Sequence, residues 1–224
     1  MKKLPTCFIL IVICFTAKGQ TFQNISLKPE KLTTYGVTIK NERYKDKDAL
    51  VVEQTTDQDQ QYTYTALTNF NFHNGIIEVS LAGQPKKNAI ATARGFVGIA
   101  FRTSTDTSKF ECLYLRPSNG RADDQVRRNH STQYISHPGY PWQKLRSESP
   151  EKYESYVDIV PGEWIKVKIE VKDNFAKLYV NGAEQPVLIV NDLKQGKDAR
   201  GNIGLWIGTG TVAQFSDLKV LKYD

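Results

Sequence analysis

Cysteine is scarce in this sequence of 224 residues: Cys7, Cys14 and Cys112 are all it holds. The first two fall in a stretch that reads as an export signal, so the mature chain would keep Cys112 alone and form no internal disulfide. Its core must then hold it together, and about 205 residues suffice for one all-β domain. Three histidines and no cysteine pairs give no zinc-ligand spacing, so a catalytic metal is not expected. No cofactor is expected either. Calcium, which loop oxygens bind without a fixed motif, stays open, with Asp123 and Asp124 as weak candidates, and is not predicted. Phosphate loops, dinucleotide fingerprints and Gly-x-Ser-x-Gly elbows are missing. So are repeats, linkers and low-complexity tracts. No apolar run reaches the roughly 20 residues of a spanning helix, so membrane insertion is not expected.

The longest apolar run, Leu4 to Ala17, follows Lys2 and Lys3 and ends at Ala17-Lys18-Gly19, small residues at the spacing of a cleavage site. The expected division is a signal peptide at 1–19 and a single domain at 20–224, periplasmic or secreted. Cys14 follows Val12 and Ile13 rather than small residues, which argues against lipidation. The full chain has 30 Lys plus Arg against 24 Asp plus Glu. Removing Lys2, Lys3 and Lys18 leaves 27 against 24, a net +3 that gives no ground for nucleic-acid binding. A monomer is expected.

Short alternating runs separated by turn residues dominate the mature chain, the pattern of a sandwich or barrel. Strands are predicted at Ala49–Gln54, Tyr62–Leu67, Gly75–Ala82, Gly95–Thr103, Phe110–Arg116, Trp164–Lys172, Ala176–Asn181, Gly201–Ile207 and Val212–Leu221. Asp173-Asn174 and Asn181-Gly182 read as tight turns. No amphipathic helix stands out. Pro117 to Pro161 reads as one long irregular stretch, rich in arginine and aromatics, and such loops are often functional.

Strand runs carry a resemblance. Gly95-Phe-Val-Gly-Ile-Ala-Phe-Arg102, Phe110-Glu-Cys-Leu-Tyr-Leu-Arg-Pro117 and Gly162-Glu-Trp-Ile-Lys-Val-Lys-Ile169 are three of them. Ala176-Lys-Leu-Tyr-Val-Asn181, Gly201-Asn-Ile-Gly-Leu205 and Phe215-Ser-Asp-Leu-Lys-Val220 are the others. Together they resemble the concanavalin A-like lectin/glucanase superfamily, as in the LamG-like and 3-keto-disaccharide-hydrolase-like proteins of Bacteroidota polysaccharide-degradation systems. The resemblance covers nearly all of the mature chain and implies an all-β, two-sheet antiparallel jelly-roll sandwich. These are strand motifs, so they speak to fold more than to function. The Glu-x-Asp-x-x-Glu strand of the superfamily's glucanases is absent. A retaining glycosidase needs two carboxylates about 5 Å apart, so that activity does not carry over.

Alternation assigns faces. Val97, Ile99 and Phe101 would point into the core, as would Leu113 and Leu115. Gly98, Ala100 and Arg102, with Cys112, Tyr114 and Arg116, would lie on the other face, the concave sheet on which the resemblance places sugars. Trp206 falls opposite Ile203, Leu205 and Ile207 and could stack on a sugar ring. Seven of the nine arginines lie between Arg94 and Arg146. Arginine pairs two-to-two with a carboxylate or sulfate, so an acidic poly- or oligosaccharide is the expected partner. The plainer reading is a solvated basic face paired with Asp106, Asp123 and Asp124.

His130 and His137 share the long stretch with Tyr134, Tyr140 and Trp142. A base, an acid and a cation over a uronate are what β-elimination requires. The expected catalytic residues are His130, Tyr134 and Tyr114. Arg102, Arg116, His137, Trp142 and Trp206 would bind substrate. Whether a histidine or a tyrosine is the base stays open, as does lyase against dehydratase. Two other readings stand beside elimination: a glycan-binding module using the same face, and a hydrolase of the 3-keto-disaccharide kind. His73 and His137 also fit plain turn positions, Trp164 fits packing, and Cys112 fits a small filler of the sheet.

Overall fold

The computed structural model describes residues 20–55 and 63–223. The expected signal segment and Tyr62 lie outside the described residues. In chain order the strands are β1 (Gln23–Asn24), β2 (Leu32–Tyr35), β3 (Val37–Tyr44), β4 (Lys47–Gln54), β5 (Tyr64–Leu67), β6 (Gly75–Pro85), β7 (Val97–Thr103) and β8 (Phe110–Leu115). Helices α1 (Pro117–Gly120) and α2 (Gln125–Asn129) come next, then β9 (Thr132–His137), helix α3 (Trp142–Glu148) and β10 (Glu154–Ser155). The chain closes with β11 (Ile165–Lys172), β12 (Phe175–Val180), β13 (Leu188–Val190), β14 (Asn202–Ile207) and β15 (Thr211–Lys222).

These strands form two antiparallel sheets. One runs β13-β12-β11-β6-β15-β4-β3, with β1 also on β15; the other runs β10-β9-β8-β7-β14-β5-β2. The chain crosses between sheets after β1, β2, β4, β5, β6, β10, β13 and β14, which makes the expected jelly-roll sandwich. Period-two patterning drives it. In β11, Ile165, Val167, Ile169 and Val171 are buried, while the lysines and Glu170 between them are not. Across the sandwich they meet Val97, Ile99, Phe101, Leu113 and Leu115 in one apolar core. Asp173 (φ 53°) and Asn181 (φ 54°) occupy the left-handed turn conformation that Asx residues tolerate.

Pro117 to Pro161 is not one irregular stretch. It folds as three short helices and two strands. The physical reason is local. β9 turns Thr132, Tyr134 and Ser136 inward, so its buried side carries hydroxyls rather than aliphatic side chains. Helix α3 buries Leu145 alone, which leaves no apolar period to read. Strands β1, β2, β3 and β13 were also not expected.

Candidate functional site

The outer face of the seven-stranded sheet is tiled across its full width. Cross-strand register places Tyr35 opposite Tyr64, Tyr64 opposite Trp206, Trp206 opposite Gly98, Gly98 opposite Tyr114, Tyr114 opposite Gln133, and Gln133 opposite Glu154. Directly opposed residues share a face, so one residue from each of seven strands forms a single row. The next row is Thr33, Ala66, Gly204, Ala100, Cys112 and Ile135, mostly small. Rings fill the space above them. Tyr114 and Trp206, on strands either side of β7, meet with centroids 4.7 Å apart because Gly98 between them has no side chain. Tyr64 lies over Gly204, where a Cβ would come 2.8 Å from its ring, and its ring meets Phe110 at 5.7 Å.

At the Glu154 end the row turns polar. The Glu154 side chain is 2% exposed and takes Arg116 Nη1 at 3.1 Å and Arg146 Nε at 2.8 Å, with Arg146 Nη2 also against Oε1. Arg116 spends its other donors on the Tyr114 hydroxyl and Gln133 Oε1, both at 2.9 Å, and on the His130 carbonyl at 3.1 Å. His130, the C-cap of α2, brings Nδ1 within 3.2 Å of Glu154 Oε2, close but not aligned as a hydrogen bond. Its side chain is 17% exposed. Trp142, 37% exposed, covers the cluster, its ring centroid 4.6 Å from the Arg146 guanidinium and 5.9 Å from that of Arg116.

Titration follows from these contacts. Burial pushes Glu154 up, but the Arg146 hydrogen bond and the charges of Arg116 and Arg146 outweigh it and hold the carboxyl below its ordinary value. Burial pulls His130 below its ordinary value, more than Glu154 raises it, so the imidazole is neutral at neutral pH. Burial pushes Tyr114 up to about 12 in spite of Arg116. The phenolate is disfavoured there, and the hydroxyl accepts from Arg116 Nη2.

Three expected site residues lie elsewhere. Tyr134 is buried on the core side of β9, its hydroxyl donating to Glu111 and accepting from Lys194 N at 2.9 Å. Burial and the Glu111 charge push its phenol far up. Arg102 leaves the expected face because the β7–β14 register shifts between Asn202 and Gly204 and its φ is 53°. Only 1% exposed, it donates to the carbonyls of His73 (3.0 Å), Gly196 (3.1 Å) and Asp173 (2.7 Å) and to Asn74 Oδ1 (3.0 Å). It is a fastener between loops. His137 lies at the opposite end of β9 from the Glu154 cluster, stacked on Phe110 at 5.3 Å. Arg116, His130, Tyr114 and Trp142 do converge, and Trp206 joins them through Tyr114.

Glu154 and Gln133 were missed. Glu154 sits in a two-residue strand, too short to show alternation, and Gln133 is a buried polar residue in an unrecognised strand. Among the described residues no group of three or more His, Cys, Asp or Glu is placed to hold a metal, and no helix is long and apolar enough to cross a membrane.

The profile of the 3-keto-alpha-glucoside-1,2-lyase-like domain matches residues 22–221. No curated protein matches the chain. Among solved structures, a carbohydrate-binding module of Bacillus subtilis is similar at 12% identity, over 86% of this chain and 96% of that one, with a TM-score of 0.59. A Bacillus subtilis protein of unknown function with a galectin-like fold is 13% identical, over 86% and 90%, with a TM-score of 0.51. Bacillus licheniformis beta-glucanase is 12% identical, over 93% and 100%, with a TM-score of 0.50. At these identities the likeness is one of fold.

Proposed function

The chain belongs to the 3-keto-alpha-glucoside-1,2-lyase-like domain family, and from that membership we propose that it is an exported carbohydrate-active protein that cleaves a keto-sugar glycoside by elimination. The observation that carries the proposal is the pairing of His130, neutral and partly exposed, with a carboxylate fixed 3.2 Å away. The Glu154 charge 3.2 Å from Nδ1 favours a proton on that nitrogen electrostatically, leaving the Nε2 lone pair as the base. Nε2 has no hydrogen-bond partner among the described residues. A ketone at C3 acidifies the proton on C2. His130 Nε2 takes that proton, and the C2–H electrons become an enolate whose oxygen the exposed part of Arg146 stabilises. The enolate re-forms the ketone as C1=C2 forms and the C1–O bond breaks. The departing alkoxide leaves as the alcohol once it takes a proton, which His130 can return.

The ketone takes the place expected for a uronate carboxylate: both make a neighbouring proton removable. Trp142, stacked on Arg146, offers the sugar a flat apolar wall. Arg116 acts through other residues, by fixing the His130 backbone and Glu154.

The test is to mix the purified protein with a 3-keto-glucoside. The expected products are an alcohol and a conjugated enone that absorbs in the near ultraviolet. His130→Asn should lose turnover with its fold intact, and Trp142→Ala should raise KM more than it lowers kcat. A ketoside left unchanged by the wild-type protein rules the proposal out.

A second reading rests on the row Tyr64, Trp206 and Tyr114. A continuous aromatic surface suits sugar binding without chemistry. It predicts retardation in a glycan gel, weakened by Trp206→Ala, with the glycan recovered unaltered.

A further inference from the structure

We propose that a second, anion-selective sugar subsite lies at the other end of β8 from the Glu154 cluster. A cavity of about 410 Å³ opens there, lined by Arg102, Lys109, Lys194 and Arg200, with His137 and Tyr140 among its walls, and no carboxylate lines it. Three of the nearby acids are already engaged. Asp106 is held by the Ser104 hydroxyl at 2.6 Å and the Ser108 hydroxyl at 2.7 Å. Glu111 is fully buried and takes Gln195 N at 2.7 Å and the Tyr134 hydroxyl. Asp192 takes Lys194 Nζ at 2.7 Å and the Tyr153 hydroxyl at 2.7 Å. Arg102 spends its donors on loop oxygens, as described above. Lys109 and Arg200 are exposed and have no ion-pair partner among the described residues. Two unspent cations at the mouth of a cavity attract an oxyanion, and the guanidinium adds a planar two-point grip.

The cavity volume suits one or two sugar rings rather than a free ion, and Tyr140 and the stacked His137 give a ring something to lie against. The ligand class is therefore a sugar bearing a carboxylate or a sulfate. Strand rise places the cavity about 20 Å from Arg116 along β8, within reach of a short oligosaccharide. The subsite concerns the opposite end of the sheet from the proposed cleavage and stands if that cleavage is disproved.

The experiment is calorimetric titration of the full chain carrying His130→Asn, so that cleavage plays no part. The probes are trigalacturonate, a sulfated galactan trisaccharide and an uncharged galactan trisaccharide. The proposal expects at least one charged trisaccharide to bind tenfold or more tighter than the uncharged one. That advantage should shrink at high salt and disappear in the Lys109→Ala/Arg200→Ala double variant, both positions being exposed. Which charged probe wins separates carboxylate from sulfate. Equal binding of charged and uncharged sugars, no binding of either charged probe, or an undiminished preference in the double variant would each overturn it.

Discussion

Arg116 holds the backbone carbonyl of His130 with the same guanidinium nitrogen that reaches Glu154, at 3.1 Å in each case. One group thus sets both halves of the Glu154–His130 pair. Lysine at this position keeps the charge but cannot fork to the Tyr114 hydroxyl and Gln133 as well. Arg116→Lys is expected to cost about 2–4 kcal/mol, since buried acceptors lose their donors. Urea unfolding measures this, and an unchanged midpoint would count against the arrangement.

Replacing the Glu154 carboxylate by an amide leaves Arg116 and Arg146 without their counter-charge. The expected loss for Glu154→Gln is about 3–5 kcal/mol, because a broken buried ion pair strands its partner. A second readout separates position from mere stability. Glu154 raises the His130 pKa, so its removal should move the His130 titration, followed by NMR, to lower pH. A shift to higher pH contradicts the geometry.

Acid should weaken the fold in two stages. His130 has a folded pKa below its unfolded value of 6.5, so between the two values the unfolded chain holds the extra proton. Stability therefore begins to fall as pH drops through 6.5. Glu154, also depressed, contributes stability that is whole above 4.5 and lost as pH falls through its folded value. Glu111 runs the other way. Burial raises its pKa, so its contribution is present below 4.5 and declines as pH rises through its folded value. Thermal melts across pH 3–8, repeated with His130→Asn, should show the upper stage reduced in the variant, with His137, which burial also holds below its ordinary value, supplying the remainder.

Gly98 is required for contact rather than for flexibility. A Cβ there would sit 2.3 Å from the Leu113 carbonyl oxygen and 2.5 Å from Tyr114 Cα, both backbone. Gly98→Ala should cost about 1–3 kcal/mol through overpacking. It should also separate the Tyr114 and Trp206 rings, which tryptophan fluorescence would register.

The sandwich was legible because its core strands alternate cleanly. Val97, Ile99, Leu113 and Leu115 face inward as their period required, and Cys112, Tyr114 and Trp206 lie opposite. Part of the site cluster was legible too: Arg116, His130 and Trp142 drew notice by residue type and crowding. Arg102 was misplaced because a bulge is a backbone event that leaves no mark on the apolar pattern. Tyr134 was misread for a related reason. Its strand buries hydroxyls that form a polar network with Glu111, and a polar inner face looks like a loop. Glu154 stayed hidden because its register comes from a partner strand and not from its own neighbours.

The Arg102 fastener has a consequence of its own. Its guanidinium ties β7 to Asp173, in the hairpin turn of the opposite sheet, and to Gly196, in the loop that leads toward β14. Slippage of one layer over the other at that end must tear several bonds together, so the sandwich is clamped at this corner. Any opening of the layers is therefore steered away from this corner.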